Sequence, residues 1–154
     1  MTTTIVDETA LNAFVLRAVD HLGAGYLGVM VSLGARLGLY QALAEAGPLT
    51  SQQLADRTDC AERYVRDWAS SQAAAGYVVY DAAAGTFSLT PEQALVLADE
   101  DSPVYLPPAW NTPAGMWSHE ARALHAFPTG QGIGCGDHDP ALGDIEAFHP
   151  DALE

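Results

Sequence analysis

Gly34 to Leu97 reads GARLGLYQALAEAGPLTSQQLADRTDCAERYVRDWASSQAAAGYVVYDAAAGTFSLTPEQALVL, and its punctuation decides the fold. Gly47 followed by Pro48 is a helix stop, because glycine takes the left-handed C-cap and proline cannot continue the helix. Thr50 then offers its hydroxyl as a cap while Gln53 can reach back to it, and Leu49 with Leu54 flanks this box as a hydrophobic staple. A short helix to about Thr58 follows. Asp59 and Glu62 form a second possible capping box ahead of a helix that turns Tyr64, Val65, Trp68 and Ala69 inward. Gly76 ends that helix. YVVYD, AAAG and TFSLT then read as two short strands around a turn. Thr90, Pro91 and Gln93 restart a helix with a cap, a proline at the first helical position and a capping-box glutamine. Three helices and a β-hairpin in this order predict a mainly α protein, a winged helix-turn-helix with a two-stranded β wing.

Outward from that core, the chain gains helices on both sides. Leu11, Phe14, Val15, Ala18 and Leu22 recur at helical spacing and predict a helix from about Asp7 to Leu22. Gly23, Gly25 and Gly28 are expected to break it, and a second helix is expected from about Val29 to Ala46. Gly34 and Gly38, one turn apart, would let another backbone come close, at some cost in helix propensity. A winged-helix core is compact without the first helix, so its apolar stripe predicts a homodimer through the N-terminal helices. After Asp101 the texture changes to Pro103, Pro107, Pro108 and Pro113 among Tyr105, Trp110 and Trp117. A helix from about Pro113 to Ala126, capped by Thr112, is expected there, followed by a Gly-rich run and an acidic end. The organisation is therefore residues 1–101 as the winged-helix dimerisation domain, and 102–154 as an aromatic and Gly-rich lid or linker segment with an acidic tail.

Charge narrows the function classes. The net charge is −14, with six arginines and no lysine among 154 residues. Residues 1–90 hold five arginines against nine acids, and residues 91–154 hold Arg122 against eleven. Nucleic acid is disfavoured as the main partner, since few cations are present to displace counterions. Arg57, Arg63 and Arg66 form the one cluster able to touch phosphate, and Asp56, Asp59, Glu62 and Asp67 offset it. The start, MTTTIVDETA, lacks the basic and apolar regions of a signal peptide. With two widely spaced cysteines, Cys60 and Cys135, a cytoplasmic, reduced protein is expected. No continuous apolar run reaches the ~18 residues of a spanning helix, so no membrane partner is expected.

Few residues carry chemistry. GIGCGD at 132–137 has the look of a glycine loop, yet no apolar strand precedes it, and Cys135 or Asp137 stands where a third glycine is required. A flexible loop is the better reading. Cys135, Asp137, His138, Asp139 and His149 offer metal-ligating atoms with only one Cys-x-x-His pair, short of a zinc pattern, so no metal site is assigned. No nucleophile motif appears and no catalytic residue is assigned. Trp110, Trp117 and Phe127 suit either a ligand pocket or a core or interface.

RLGLYQAL, GPLTSQQLADRT, ERYVRDWASSQAAAGY and LTPEQALVLAD, in this order and spacing, resemble the N-terminal winged-helix region of a bacterial family of class I S-adenosylmethionine-dependent methyltransferases, some of them described as transcriptional regulators. The resemblance continues from SPVYL to TGQGIGCGDHDP and so covers most of the chain. It implies that the N-terminal helices pair with a second subunit and that about Trp110 to Asp139 closes over a small-molecule substrate, with Trp110, Trp117 and His138 as substrate contacts. The family's cofactor-binding Rossmann domain is not within these 154 residues, and IEAFHPDALE carries only a trace of the joining segment. Leu153-Glu154 reads equally as a native end or as residues ahead of an appended tag. The implied function is a dimerisation and substrate-binding domain, not catalytic by itself. No cofactor site is expected in this chain, and S-adenosylmethionine is implied for a longer parent. The alternative is a stand-alone winged-helix protein: a DNA-binding regulator, or a small-ligand-binding protein or enzyme derived from the lid domain.

Overall fold

The computed structural model describes residues 6–132. Its first element, α1, runs Glu8–Arg36 as one helix of 29 residues. Asp7 caps it, its carboxylate accepting from the amides of Thr9 at 2.9 Å and Ala10 at 3.1 Å. The break expected at Gly23, Gly25 and Gly28 does not occur. Each glycine inside a helix costs about 1 kcal/mol against alanine, but glycine still adopts helical angles, and the C-terminal third of α1 is held by packing. The chain turns at Gly38, whose φ of 69° is left-handed and suits a residue without a β-carbon. Helix α2 (Leu39–Ala46) follows and stops at Gly47, φ 75°.

Helix α3 (Ser51–Thr58) starts with the expected capping box, Gln53 N donating to Thr50 Oγ1 at 3.2 Å and Thr50 N to Gln53 Oε1 at 2.9 Å. Asp59 is not the cap of the next helix. It takes the left-handed position that closes α3, φ 52°, and Ala61 stands as the uncapped N-terminus of α4 (Glu62–Ala74). Glu62 instead accepts from Ser51 Oγ at 2.7 Å and pairs with Arg66 at 3.6 Å. α3 and α4 make the helix-turn-helix.

The wing is β1 (Val79–Asp81) antiparallel to β2 (Thr86–Ser88), with Tyr80 opposite Phe87. Asp81 Oδ1 accepts from Ala83 N at 2.8 Å and folds the turn. Leu49 bridges to Phe87 through two backbone bonds, 2.9 and 2.7 Å, and so ties the wing to the α2–α3 junction. Thr90 and Gln93 form the second capping box, with Pro91 opening α5 (Pro91–Leu97).

After α5 the expected single helix is two. A 3-10 turn, Pro107–Trp110, leads into α6 (Asn111–Ser118) and then α7 (Glu120–Thr129). Thr112 lies inside α6 rather than capping a helix. The division falls at His119, where Ser118 Oγ donates to Gly115 O at 2.7 Å and His119 Nδ1 lies 2.8 Å from the same carbonyl. These side chains close the last turn of α6 and favour a stop.

The core gathers around two rings on the inner face of α1. Tyr40 and Trp68 meet edge to face, centroids 5.0 Å apart. Both lie against Gly34, where a β-carbon would stand 2.8 Å from Tyr40 Cε2 and closer still to Trp68. Trp68 Nε1 donates to Met30 O at 2.8 Å, and Tyr40 Oη donates to Gln72 Oε1 at 2.5 Å. Val31, Leu39, Leu43, Leu54, Val65 and Phe87 fill the space around them. Trp68 is inward, as the spacing of α4 predicts.

Candidate functional site

Three surfaces follow from this packing. The first is α1 itself. Its described residues up to Tyr26 are all exposed, while Gly28, Val31 and Gly34 are buried against the core. The same helix is long and apolar enough, by length and composition, to cross a membrane, with a mean hydropathy of 1.3 over its best stretch. A search for continuous apolar runs misses this, because single polar residues such as Arg17 and Asp20 interrupt the sequence without changing the helix-wide average.

The second surface is a groove of about 420 Å³ where α1 meets the start of α4, walled by Leu33, Leu37, Cys60, Tyr64 and Val65, with Trp68 at its base. Its lining is almost wholly apolar, and Asp67 is its one charged residue. Sequence reasoning treated Tyr64 as inward, but it is 74% exposed on this rim. Val65, Trp68 and Ala69 are buried on the face the spacing predicts, while Tyr64 stands one turn before Trp68 at the start of α4, where its ring lines the open groove.

The third is a cleft of about 340 Å³ under Trp110, closed by Tyr77 on one side and by Glu92, Val96 and Leu97 of α5 on another. Gln93 Nε2 donates to Gly76 O at 2.9 Å and fixes the cleft's back wall. The Glu92 carboxyl sits below the usual carboxylate range because its own backbone amide and the Thr90 hydroxyl donate to it. Tyr105, on the segment leading to Trp110, is pushed up mainly by burial and further by the Glu100 charge, with an opposing hydrogen bond from Gln41. The cleft's size suits a small organic ligand.

The sequence-derived site residues fall in different places. Trp110 packs partly buried on the core and lines the cleft. Trp117 is 74% exposed on α6, and Phe127 is exposed on α7. His138 lies outside the described residues, as do Cys135, Asp137, Asp139, His149 and all of the GIGCGD loop after Gly132. The roles of Glu92, Val96 and Tyr77 as cleft walls were missed, because only the fold brings the end of α4, α5 and the 3-10 turn together. Arg66 of the candidate recognition helix is engaged by Glu62, both side chains being partly exposed.

Residues 25–99 match the family model of the Rv2258c-like winged HTH domain. This stretch is a winged helix-turn-helix domain. The winged helix-turn-helix domain thus begins inside α1 and ends just after α5. The N-terminal half of α1 and the helices α6 and α7 lie outside the match. No curated protein matches the chain. Among solved structures, the mitomycin 7-O-methyltransferase MmcR is similar over 96% of this chain and 43% of its own, with a TM-score of 0.66 and 22% identity. A structure of PigF with SAH is similar over 71% of this chain and 32% of its own, with a TM-score of 0.60 and 18% identity. The chain therefore spans less than half the length of these structures, and it shares their fold over that part.

Proposed function

We propose that this chain is the dimerisation and substrate-binding domain of a small-molecule S-adenosylmethionine-dependent methyltransferase and is not catalytic by itself. The observation that carries the reading is α1. Leu11, Phe14, Val15, Val19, Leu22 and Tyr26 are all between 47 and 71% exposed on a helix that no other element among the described residues covers there. A stable fold seldom leaves so large an apolar patch in water, and burying one such side chain stabilises by about 1.5–3 kcal/mol. A second copy covers it economically, because a self-complementary face closes on itself. The fold likeness to MmcR and to PigF with SAH supports the methyltransferase half of the reading.

Trp110, Trp117 and His138 are the residues we assign to substrate contact. Trp110 already walls a cleft, and Trp117 stands outward on α6, where a substrate or a further domain reaches it. S-adenosylmethionine is held by other parts of a parent protein. The charge of −14 weighs against the regulator alternative.

Light scattering on the full chain tests the first half, with twice the monomer mass expected at tens of micromolar, an order above typical dissociation constants of specific interfaces. Calorimetry with S-adenosylmethionine tests the second. No heat of binding is expected from the chain alone, and saturable micromolar binding would move the cofactor site into these 154 residues.

A further inference from the structure

Eight of the exposed apolar residues of α1 and its C-cap, Leu37, share one face. Leu11, Val15, Val19, Leu22, Tyr26, Val29, Leu33 and Leu37 follow one another in steps of four and three residues, which keeps them on one face of a helix. All eight are exposed, from 44% at Leu33 to 71% at Tyr26. That face lies away from Gly28, Val31 and Gly34, the residues that bury α1 in its own core. The eight positions also mirror one another about the level of Ala24. Leu11 and Leu37 stand thirteen residues from it on either side, Val15 and Leu33 nine, Val19 and Val29 five, and Leu22 and Tyr26 two.

From this mirror spacing we infer that two copies of α1 pair antiparallel about a two-fold axis midway between Leu22 and Tyr26. The inference rests on the dimer reading above and specifies its geometry. A two-fold axis across an antiparallel helix pair maps each position onto its mirror position in the other chain. The seam then sets Leu22 against Tyr26 of the second copy, Val19 against Val29, Val15 against Leu33 and Leu11 against Leu37, apolar on apolar throughout. It runs ~39 Å at ~1.5 Å per residue. No charged residue interrupts it.

The groove at the root of α4 receives an occupant by the same geometry. Leu33 and Leu37 are both seam residues and walls of that groove, beside Cys60 and Tyr64. The second copy's Leu11 and Val15 arrive opposite them, so the N-terminal half of its α1 covers the groove. Each groove is complete only in the dimer. A lipid bilayer is the poorer occupant. The free part of α1 carries Arg17, Asp20 and His21, and its last third is committed to the protein core.

Cysteine pairing reads the register directly. In a full-length background with Cys60→Ser and Cys135→Ser, a Val15→Cys chain and a Leu33→Cys chain carrying different tags are co-expressed and oxidised mildly. The expected product is the mixed disulfide dimer, with no Val15→Cys chain linked to its own kind. Both positions are exposed, so the folded protomer tolerates the change, and circular dichroism checks that it does. Light scattering on the same samples separates the two ways of failing. A dimer in which Val15→Cys chains link to each other is parallel and overturns the inference, leaving the dimer reading in place. A dimer with neither disulfide pairs through another face and likewise overturns it. A monomer, or a chain that partitions onto phosphatidylcholine vesicles instead of pairing, overturns both.

Discussion

The Trp110 ring packs into the space that Gly28 leaves on α1, where a β-carbon would stand 2.8 Å from Cε3. One turn along, Ser32 Oγ donates to Asn111 Oδ1 at 3.0 Å. The segment proposed to face substrate is therefore anchored on the same helix that is proposed to face the second copy. Gly28→Ala should gain about 1 kcal/mol of helix propensity and lose about 1–3 kcal/mol to overpacking. The expected net is a modest loss of stability, with Trp110 displaced toward solvent. In a Trp117→Phe background, a red shift of tryptophan emission checks it, and unchanged emission would mean that the ring accommodates a methyl group without moving.

Trp68 ties three elements together, meeting Tyr40 edge to face, lying over Gly34 and donating to the Met30 carbonyl. Trp68→Ala should cost roughly 3–5 kcal/mol, as large-to-small core changes do, which is much of a small domain's stability. Trp68→Phe keeps the ring volume in part and loses the donor, an added cost of about 1 kcal/mol for the bond itself. Thermal melts of the two variants should fall in that order. Equal midpoints would place the stabilising role in the hydrogen bond rather than in the packing.

Tyr40 gives the fold an alkaline limit. Its hydroxyl is raised above the ordinary tyrosine range, first by burial and then by Tyr77. A raised pKa in the folded state means stability that is complete below the unfolded value, near 10, and lost as the pH rises past it. Tyr105 shifts in the same direction from a more open site. Stability should hold flat through neutral pH and fall above about pH 10. Tyr40→Phe should flatten that fall without removing it. At neutral pH the variant should lose about 1–3 kcal/mol, because the buried Gln72 carboxamide is left without its hydroxyl partner. Denaturant midpoints measured from pH 7 to 11 decide the point.

The helix-turn-helix invites a DNA assay, and the charge predicts its outcome. Arg57, Arg63 and Arg66 are the three cations on α3 and α4, and Glu62 engages Arg66. Duplex-binding proteins that rest on six to ten phosphate contacts lose affinity steeply with salt, and the three arginines of one helix-turn-helix fall short of that number. No mobility shift of random duplex is expected at low salt. A sub-micromolar shift that weakens steeply with added salt would instead support the regulator alternative.

What the sequence determined by itself was local. Both threonine capping boxes, Thr50 with Gln53 and Thr90 with Gln93, stand where the sequence puts them, as do the stop at Gly47 and the hairpin before Thr90. These features involve groups within a few residues of one another, so the nearby chain carries the whole decision. Trp68 is inward as its helical spacing predicts, while Tyr64, placed inward by the same spacing, is exposed because no described element covers the start of α4. The tertiary structure decided the rest. Gly23, Gly25 and Gly28 are compatible with a helix or a break, and the pull of packing at Gly28, Val31 and Gly34 keeps α1 continuous. Asp59 is equally suited to cap a helix or to close the previous one in a left-handed turn, and the α3–α4 geometry selects the second. Trp110 and Trp117 look alike in sequence. Only the notch at Gly28, supplied by a helix some eighty residues earlier, makes one of them part of the body of the protein and leaves the other in solvent.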